Sequence, residues 1–273
     1  MENLKDQIDK EGYIVIPDVF SSDEVDEISS RIESSSENAL KFKDNKIRYV
    51  QNGNQGSFLV MDDLFARSEL EDFDWIILNE RIVKIMQNLI SGPLSFFGES
   101  SAHIGTGFRG FHKDNVSRVN INHEDWKSNY DVFRLGFYTQ DTESHSGGLQ
   151  IRTKSHFKAS RWSGFPKNLR VKKGGIIIWK LTLTHSGNTL LPRFFPSFPL
   201  LLPRLTSIMP LWFFKPYEKN RIAIFISYGV MKSMHTENYI KYRKNDRDDW
   251  YQCFQSPKIL KLAKNRNVSF MID

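Results

Sequence analysis

The apolar residues of this chain change their spacing near residue 93. Before it they recur at helical intervals. Val25, Ile28 and Ile32 fall on one helix face, and Ile82, Ile85, Met86, Leu89 and Ile90 on another. Ser21 followed by Glu24 has the spacing of a capping box, so a helix is predicted to start there. Gly92-Pro93 stops the helix predicted over 79–91. A short polar helix over 3–10 ends at Gly12, and "YIVIP" (13–17) reads as a buried strand. Lys41, Lys43, Lys46 and Arg48 form the densest basic stretch, which reads as a solvated loop.

Beyond residue 93 the apolar residues come in short runs separated by turn residues. "LSFFGES", "FRLGFYT", "GLQIRT", "GGIIIWKL" and "RIAIFISYG" are the strand candidates. Such a series predicts a mainly β sandwich or barrel core flanked by helices, with one more helix near 257–265. Residues 190–216 break the rhythm. Their six prolines forbid a continuous helix or a central strand, and the many large apolar residues suggest a loop or lid inserted between two core strands. No internal repeat appears, and the reading is one domain over 1–273 with this insert at about 190–216.

Composition narrows the partners. The chain is 40% hydrophobic and 26% charged, which is ordinary for a globular protein, and its net charge of +6 is spread along its length. No block of Lys and Arg interleaved with aromatics points to nucleic acid. The single cysteine, Cys253, excludes an intramolecular disulfide and reads as a packed thiol among the aromatics of "WYQCFQ". The polar start "MENLKDQIDKEGY" lacks the apolar core of a secretory signal, and no run of about 18 apolar residues predicts a spanning helix. A cytoplasmic protein is the expectation. Attachment to a membrane surface through 190–216 is the minor alternative.

Candidate chemistry begins at "GFHKDN" (110–115). An extended segment points residues i and i+2 the same way, so His112 and Asp114 can share one metal. The third ligand is sought in "IIIWKLTLTHSGN", where a strand is predicted to end at His185. Two imidazoles and one carboxylate on one face of an octahedron leave three positions for a chelating co-substrate and dioxygen. That is the ligand set of non-haem Fe(II) oxygenases.

Several segments, in order, resemble the phytanoyl-CoA dioxygenase family of Fe(II)/2-oxoglutarate-dependent oxygenases. These are "EGYIVIPDVFSSDEV" (11–25), "ISGPLSFFGES" (90–100), "FHKDN" (111–115), "GGLQIRTKSHF" (147–157), "KKGGIIIWKLTLTHSGN" (172–188) and "NRIAIFISYG" (220–229). The resemblance implies a double-stranded β-helix (jelly-roll, cupin-like) core. It implies that His112, Asp114 and His185 bind Fe(II), and that Arg221 pairs with the distal carboxylate of 2-oxoglutarate. Ser186 or Asn188 would add a contact to the same carboxylate. It also implies the reaction: O₂ and 2-oxoglutarate are consumed, a small organic substrate is hydroxylated, and succinate and CO₂ are released. With Asp114 at the carboxylate position, hydroxylation is favoured over halogenation. The family's arginine usually follows its distal histidine closely, whereas here 190–216 intervenes. Arg193 and Arg204 are therefore the alternatives to Arg221, which is preferred because it opens a clean β-pattern.

Two other classes fit the same residues. A cupin-like hydrolase or isomerase would use the three ligands with zinc, and a catalytically inactive member would bind ligand without turnover. Arg109, Lys113 and Arg118, which flank the motif, read as solvated charge or as contacts to an anionic substrate group. His156 reads as a packing residue or a support to the ligands. His103, His123, His145 and His235 read as surface or core polar groups, and Gly147-Gly148 as a tight turn or a close backbone approach.

Overall fold

The computed structural model describes residues 3–44, 46–51, 57–67, 70, 76–105, 110–195, 209–217, 221–246 and 257–270. Arg109, Arg204 and Cys253 lie outside them, as does the middle of the proline-rich segment.

The N-terminal part is helical where the pattern predicted it. Helix α1 (Leu4–Glu11) ends at Gly12, whose φ of 82° closes the last turn through an N–H bond to the Ile8 carbonyl. Strand β1 (Tyr13–Ile16) follows. Helix α2 (Ser22–Lys41) starts from the capping box: Glu24 N–H donates to Ser21 Oγ at 3.3 Å, and Ser21 N–H to Glu24 Oε2 at 2.7 Å. Strands β2 (Ile47–Gln51) and β3 (Ser57–Asp62) come next, then helix α3 (Glu80–Leu89).

The rest is mostly strand: β4 (Leu94–Gly105), β5 (Val132–Tyr138), β6 (Gly148–Arg152), β7 (Pro166–Leu169), β8 (Ile176–Lys180), β9 (His185–Thr189) and β10 (Ile222–Val230). Helices α4 (Met234–Asp246) and α5 (Pro257–Asn265) and the short strand β11 (Val268–Phe270) complete it. Among the described residues an eight-stranded sheet runs β1-β8-β5-β10-β4-β3-β2, with β11 parallel to β4, and a three-stranded sheet runs β7-β6-β9.

Alternation along the large sheet separates two layers. Ile222, Ile224 and Ile226 of β10, with Leu135, Phe137, Ile176 and Ile178, face a core that includes Val25, Ile28 and Ile32 of α2 and Ile82 and Met86 of α3. The intervening residues Ala223, Tyr138, Ile177 and Trp179 face Leu149, Ile151 and Leu169 of the small sheet. Each large apolar side chain fully buried this way contributes about 1.5–3 kcal/mol relative to exposure. Two sheets, the large one backed by helices on one face and covered by the small sheet on the other, resemble a jelly-roll core. The cavity described below opens between them.

The described part of the proline-rich segment forms two paired arms. Arg193 N–H donates to the Phe213 carbonyl and Lys215 N–H to the Leu191 carbonyl, each at 2.8 Å. Leu190, Leu191 and Phe214 are buried, whereas Phe194, Phe195 and Trp212 are exposed. None of its described residues borders the cavity. No helix of the described residues is long and apolar enough to cross a membrane.

Candidate metal centre

His112 and Asp114 lie on the loop after β4, and His185 opens β9. The strand "IIIWK" therefore does not run on to His185 as the sequence suggested: it ends at Lys180, the chain turns, and His185 begins a strand of the other sheet. An isolated antiparallel bridge joins the two histidines. Their Nε2 atoms stand 3.6 Å (His112) and 3.4 Å (His185) from the two oxygens of Asp114. One ligand atom from each of the three residues lies within 4.8 Å of the others, close enough to hold one ion.

The Nδ1 atoms are already engaged. His112 Nδ1 meets the Gly110 carbonyl at 2.8 Å, and His185 Nδ1 meets the Leu183 carbonyl at 3.1 Å. A carbonyl only accepts, so each Nδ1 carries a proton and Nε2 is the nitrogen each ring presents to Asp114 and to a metal. Burial alone would raise the Asp114 carboxyl. His185, Arg134 and His112 outweigh it and hold the group well below the ordinary carboxylate range, so the ligand is ionised at neutral pH.

A buried network supports Asp114. Arg134 on β5 lies 3.6 Å from Asp114 Oδ2 and 3.2 Å from Glu99 on β4. Glu99 also accepts from the Ser227 hydroxyl at 2.6 Å and the Tyr239 hydroxyl at 2.8 Å, and pairs with Arg243 at 3.2 Å. Burial works against the Glu99 anion, but Arg134 and Arg243 hold its carboxyl below the usual value. Sequence reasoning missed Glu99 and Arg134. Both were visible as charged residues inside apolar strands, "LSFFGES" and "VFRLGFY", where an unpaired charge would be costly. It also placed His103 among bland polar groups. His103 lines the cavity, stacked on Phe58 with ring centroids 5.3 Å apart.

Arg221 lines the same cavity and is 2% exposed. Its Nε donates to the Gly147 carbonyl at 2.8 Å and its Nη1 to the Gly105 carbonyl at 3.4 Å. Burial pushes the guanidinium down to about 10, against weaker opposition from Tyr138 and Tyr217, so it stays charged at neutral pH. Among the described residues no acid forms an ion pair with it. Gly147, at φ 110°, passes so close that a Cβ there would meet Arg221 Nε at 2.7 Å. Gly147 of "GGLQ" thus serves a close approach to the guanidinium, whereas Gly148 packs against Leu169 and Thr142.

The other candidates fall differently. Arg193 is exposed and away from the cavity. Ser186 is buried and does not border the cavity, because along β9 His185 and Gly187 face it and Ser186 alternates away. The side chain of Asn188 is outside the described residues. Lys113 is neither a solvated charge nor a substrate contact. It is 1% exposed, and its ammonium donates to the carbonyls of Ser155, at 2.7 Å, and Thr182. Trp179, Leu149, Phe58 and Phe225 supply apolar wall to a cavity of about 160 Å³.

No protein-family model matches the chain, and no curated protein matches it by sequence. Solved structures do match. The non-heme alpha ketoglutarate dependent carbocyclase SnoK from nogalamycin biosynthesis is 14% identical, with a TM-score of 0.57 over 87% of this chain and 90% of its own. HygX from Streptomyces hygroscopicus, solved with nickel and 2-oxoglutarate bound, is 17% identical, with a TM-score of 0.57 over 86% and 89%. EctD from S. alaskensis, solved with 2-oxoglutarate and 5-hydroxyectoine, is 15% identical, with a TM-score of 0.58 over 84% and 76%. At these identities the likeness is one of fold: the chain is built on the same two-sheet scaffold as these three structures.

Proposed function

We propose that the chain is an Fe(II)/2-oxoglutarate-dependent dioxygenase that hydroxylates a small organic substrate, with release of succinate and CO₂. One observation carries this reading. Three converging metal-ligand atoms and a buried guanidinium with no acid partner among the described residues line a single cavity. The donors suit the metal: two neutral imidazoles and one ionised carboxylate are the ligand set of non-haem Fe(II) oxygenases. The guanidinium suits the co-substrate, because its fork offers parallel donors to a carboxylate that would otherwise be costly to bury.

When bound, iron and 2-oxoglutarate supply O₂ activation coupled to oxidative decarboxylation of the co-substrate. His112, Asp114 and His185 would hold the metal. Arg221 would receive a carboxylate of 2-oxoglutarate. Trp179, Leu149 and Phe225 keep the reacting atoms out of water. Asp114 fills the carboxylate position, which favours hydroxylation over halogenation.

A zinc hydrolase on the same ligands would need a general base beside the metal and no arginine facing it, whereas Arg221 lines this cavity. The other carboxylates of the cavity are engaged, Glu99 by Arg134 and Arg243, and Asp62 by Arg48 at 3.1 Å. This favours the oxygenase. The test is anaerobic Fe(II) loading followed by a screen for substrate-stimulated succinate formation. Failure to bind 2-oxoglutarate in the presence of Fe(II) would overturn the reading.

A further inference from the structure

We infer that Arg134 is a positioning residue of the metal centre: it holds Asp114 by Oδ2 and leaves Oδ1 to the metal, and Glu99 in turn holds Arg134. The inference rests on the metal site of the function proposed above and adds to it a residue that acts through a ligand.

The carboxylate of Asp114 needs such a holder. Its backbone is fixed, because the Asp114 N–H donates to the Leu181 carbonyl at 3.0 Å. The side chain beyond it still turns about its own bonds. Among the described residues three groups pair with the carboxylate: His112 Nε2 at Oδ1, and His185 Nε2 and Arg134 Nη2 at Oδ2. The two imidazole nitrogens are those that would bind the metal, and a nitrogen engaged by a metal no longer serves the carboxylate. Arg134, at 3.6 Å, is then the group left to orient it.

Arg134 is built into that place. One nitrogen, Nη2, stands between two carboxylates, 3.2 Å from Glu99 and 3.6 Å from Asp114. It also donates to the Tyr239 hydroxyl at 3.3 Å. A β-bulge carries Glu99 to this point. Ile226 of β10 pairs with Ser100 of β4 and Tyr228 with Phe96, so Ser227 alone faces Phe97, Gly98 and Glu99. Gly98, at φ 89°, supplies the left-handed backbone that the bulge takes. On the other side of β10 the ladder is unbroken, and Ser227 pairs with Arg134. Glu99, Ser227 and Arg134 thus form one row across three strands, tied by the Ser227 hydroxyl, which donates to Glu99 at 2.6 Å. A buried ion pair adds little to stability over apolar residues of the same size. What this row adds is a cation fixed beside a metal ligand.

The experiment uses the full chain and Co(II), whose visible absorption reports its ligand geometry. Metal affinity and the urea midpoint of the metal-free protein are read side by side. Arg134→Met takes a partner from Glu99, and is expected to lower the midpoint and to lower Co(II) affinity about 10–100-fold. Arg134→Lys keeps the charge on a shorter stem without the fork, and should lose about tenfold in affinity. The double variant Glu99→Met with Arg134→Met removes the whole pair, and tests the site even if Arg134→Met fails to fold. It is expected to recover most of the midpoint but none of the Co(II) affinity, and to show an altered Co(II) spectrum. Parent affinity and spectrum in Arg134→Met overturn the inference. So does full affinity in Arg134→Lys, or a gain in affinity on removing Arg134, since either reduces the residue to its charge. A double variant whose affinity returns with its stability makes the pair a packing element and also overturns it. A parent chain that binds no divalent metal refutes the metal site itself.

Discussion

The backbones of His112 and His185 hold each other: each N–H donates to the other's carbonyl at 2.9 Å. This reciprocal pair fastens the loop after β4 to the first residue of β9 and brings the two imidazoles to a centroid separation of 4.3 Å. The distance between the ligands is therefore set by backbone hydrogen bonds. Side-chain substitution should remove a ligand without moving its partners.

Replacing His112, Asp114 or His185 by Ala should abolish turnover and lower Fe(II) affinity about 100-fold or more, beyond the 10–100-fold typical of residues that merely support a ligand. Circular dichroism should stay close to that of the parent. Anaerobic metal titration is the check, and a triple variant that binds Fe(II) as tightly as the parent would sink the assignment.

Arg221→Lys should weaken 2-oxoglutarate by about 1.5–3 kcal/mol, because a point charge cannot reproduce a bidentate fork. Metal affinity should be retained, since the triad is untouched. Arg193→Lys, at an exposed position, should leave both constants unchanged. Equilibrium titration of the three proteins with the co-substrate decides it.

Gly147→Ala tests the same contact from the other side. The new methyl would meet Arg221 Nε, and φ of 110° is strained for any L side chain. A stability loss of about 1–3 kcal/mol is expected from the backbone alone, together with weaker 2-oxoglutarate binding. Chemical denaturation and co-substrate titration measure the two effects separately.

The sequence carried the elements whose pattern is local. The capping box at Ser21, the apolar face of α3 and the strands "IIIWK" and "IAIFISYG" are encoded by near neighbours. The H-x-D pair and its distal histidine were legible for a similar reason, since chemistry and spacing coincide. Long-range pairing was not. Strand β2 begins within the basic stretch that reads as loop, and it is a strand because Ile47–Gln51 pair with β3. Lys113 read as surface charge because nothing near it in sequence reveals the carbonyls of Ser155 and Thr182, which receive its ammonium. Arg134 and Glu99 are far apart in sequence and meet only when β10 lies between their strands.

Lys113 makes a prediction of its own. Burial pushes its ammonium down to about 7, yet the group ties the His112 loop to the turn that leads into His185. Lys113→Met should leave two carbonyls without this donor and cost about 2 kcal/mol of stability. Metal affinity should fall as well, because the strap between the two halves of the triad is gone. Urea denaturation with and without Ni(II) would show both. Unchanged metal affinity would limit Lys113 to packing.

Acid should reveal a second buried lysine. Lys180 is 1% exposed and pairs with Asp9 at 2.7 Å, and Asp9 also holds Lys5 at 2.7 Å. Burial would raise the Asp9 carboxyl, but hydrogen bonds from Lys180, Lys5 and Asn129 bring it from 3.8 down to about 2. A carboxyl lowered in the folded state stabilises that state above its unfolded value. The contribution is complete above about pH 4 and is lost as pH falls from 3.8 towards 2. Asp9→Asn leaves Lys180 buried without this carboxylate. The cost should be about 2 kcal/mol at pH 7, less than for a fully buried pair because Asp9 keeps some solvent contact. The stability gap between parent and variant should stay constant from pH 7 to about 5, narrow below 4 and close near 2. Urea denaturation across that range measures it, and a gap that widened on acidification would contradict the sign of the Asp9 shift.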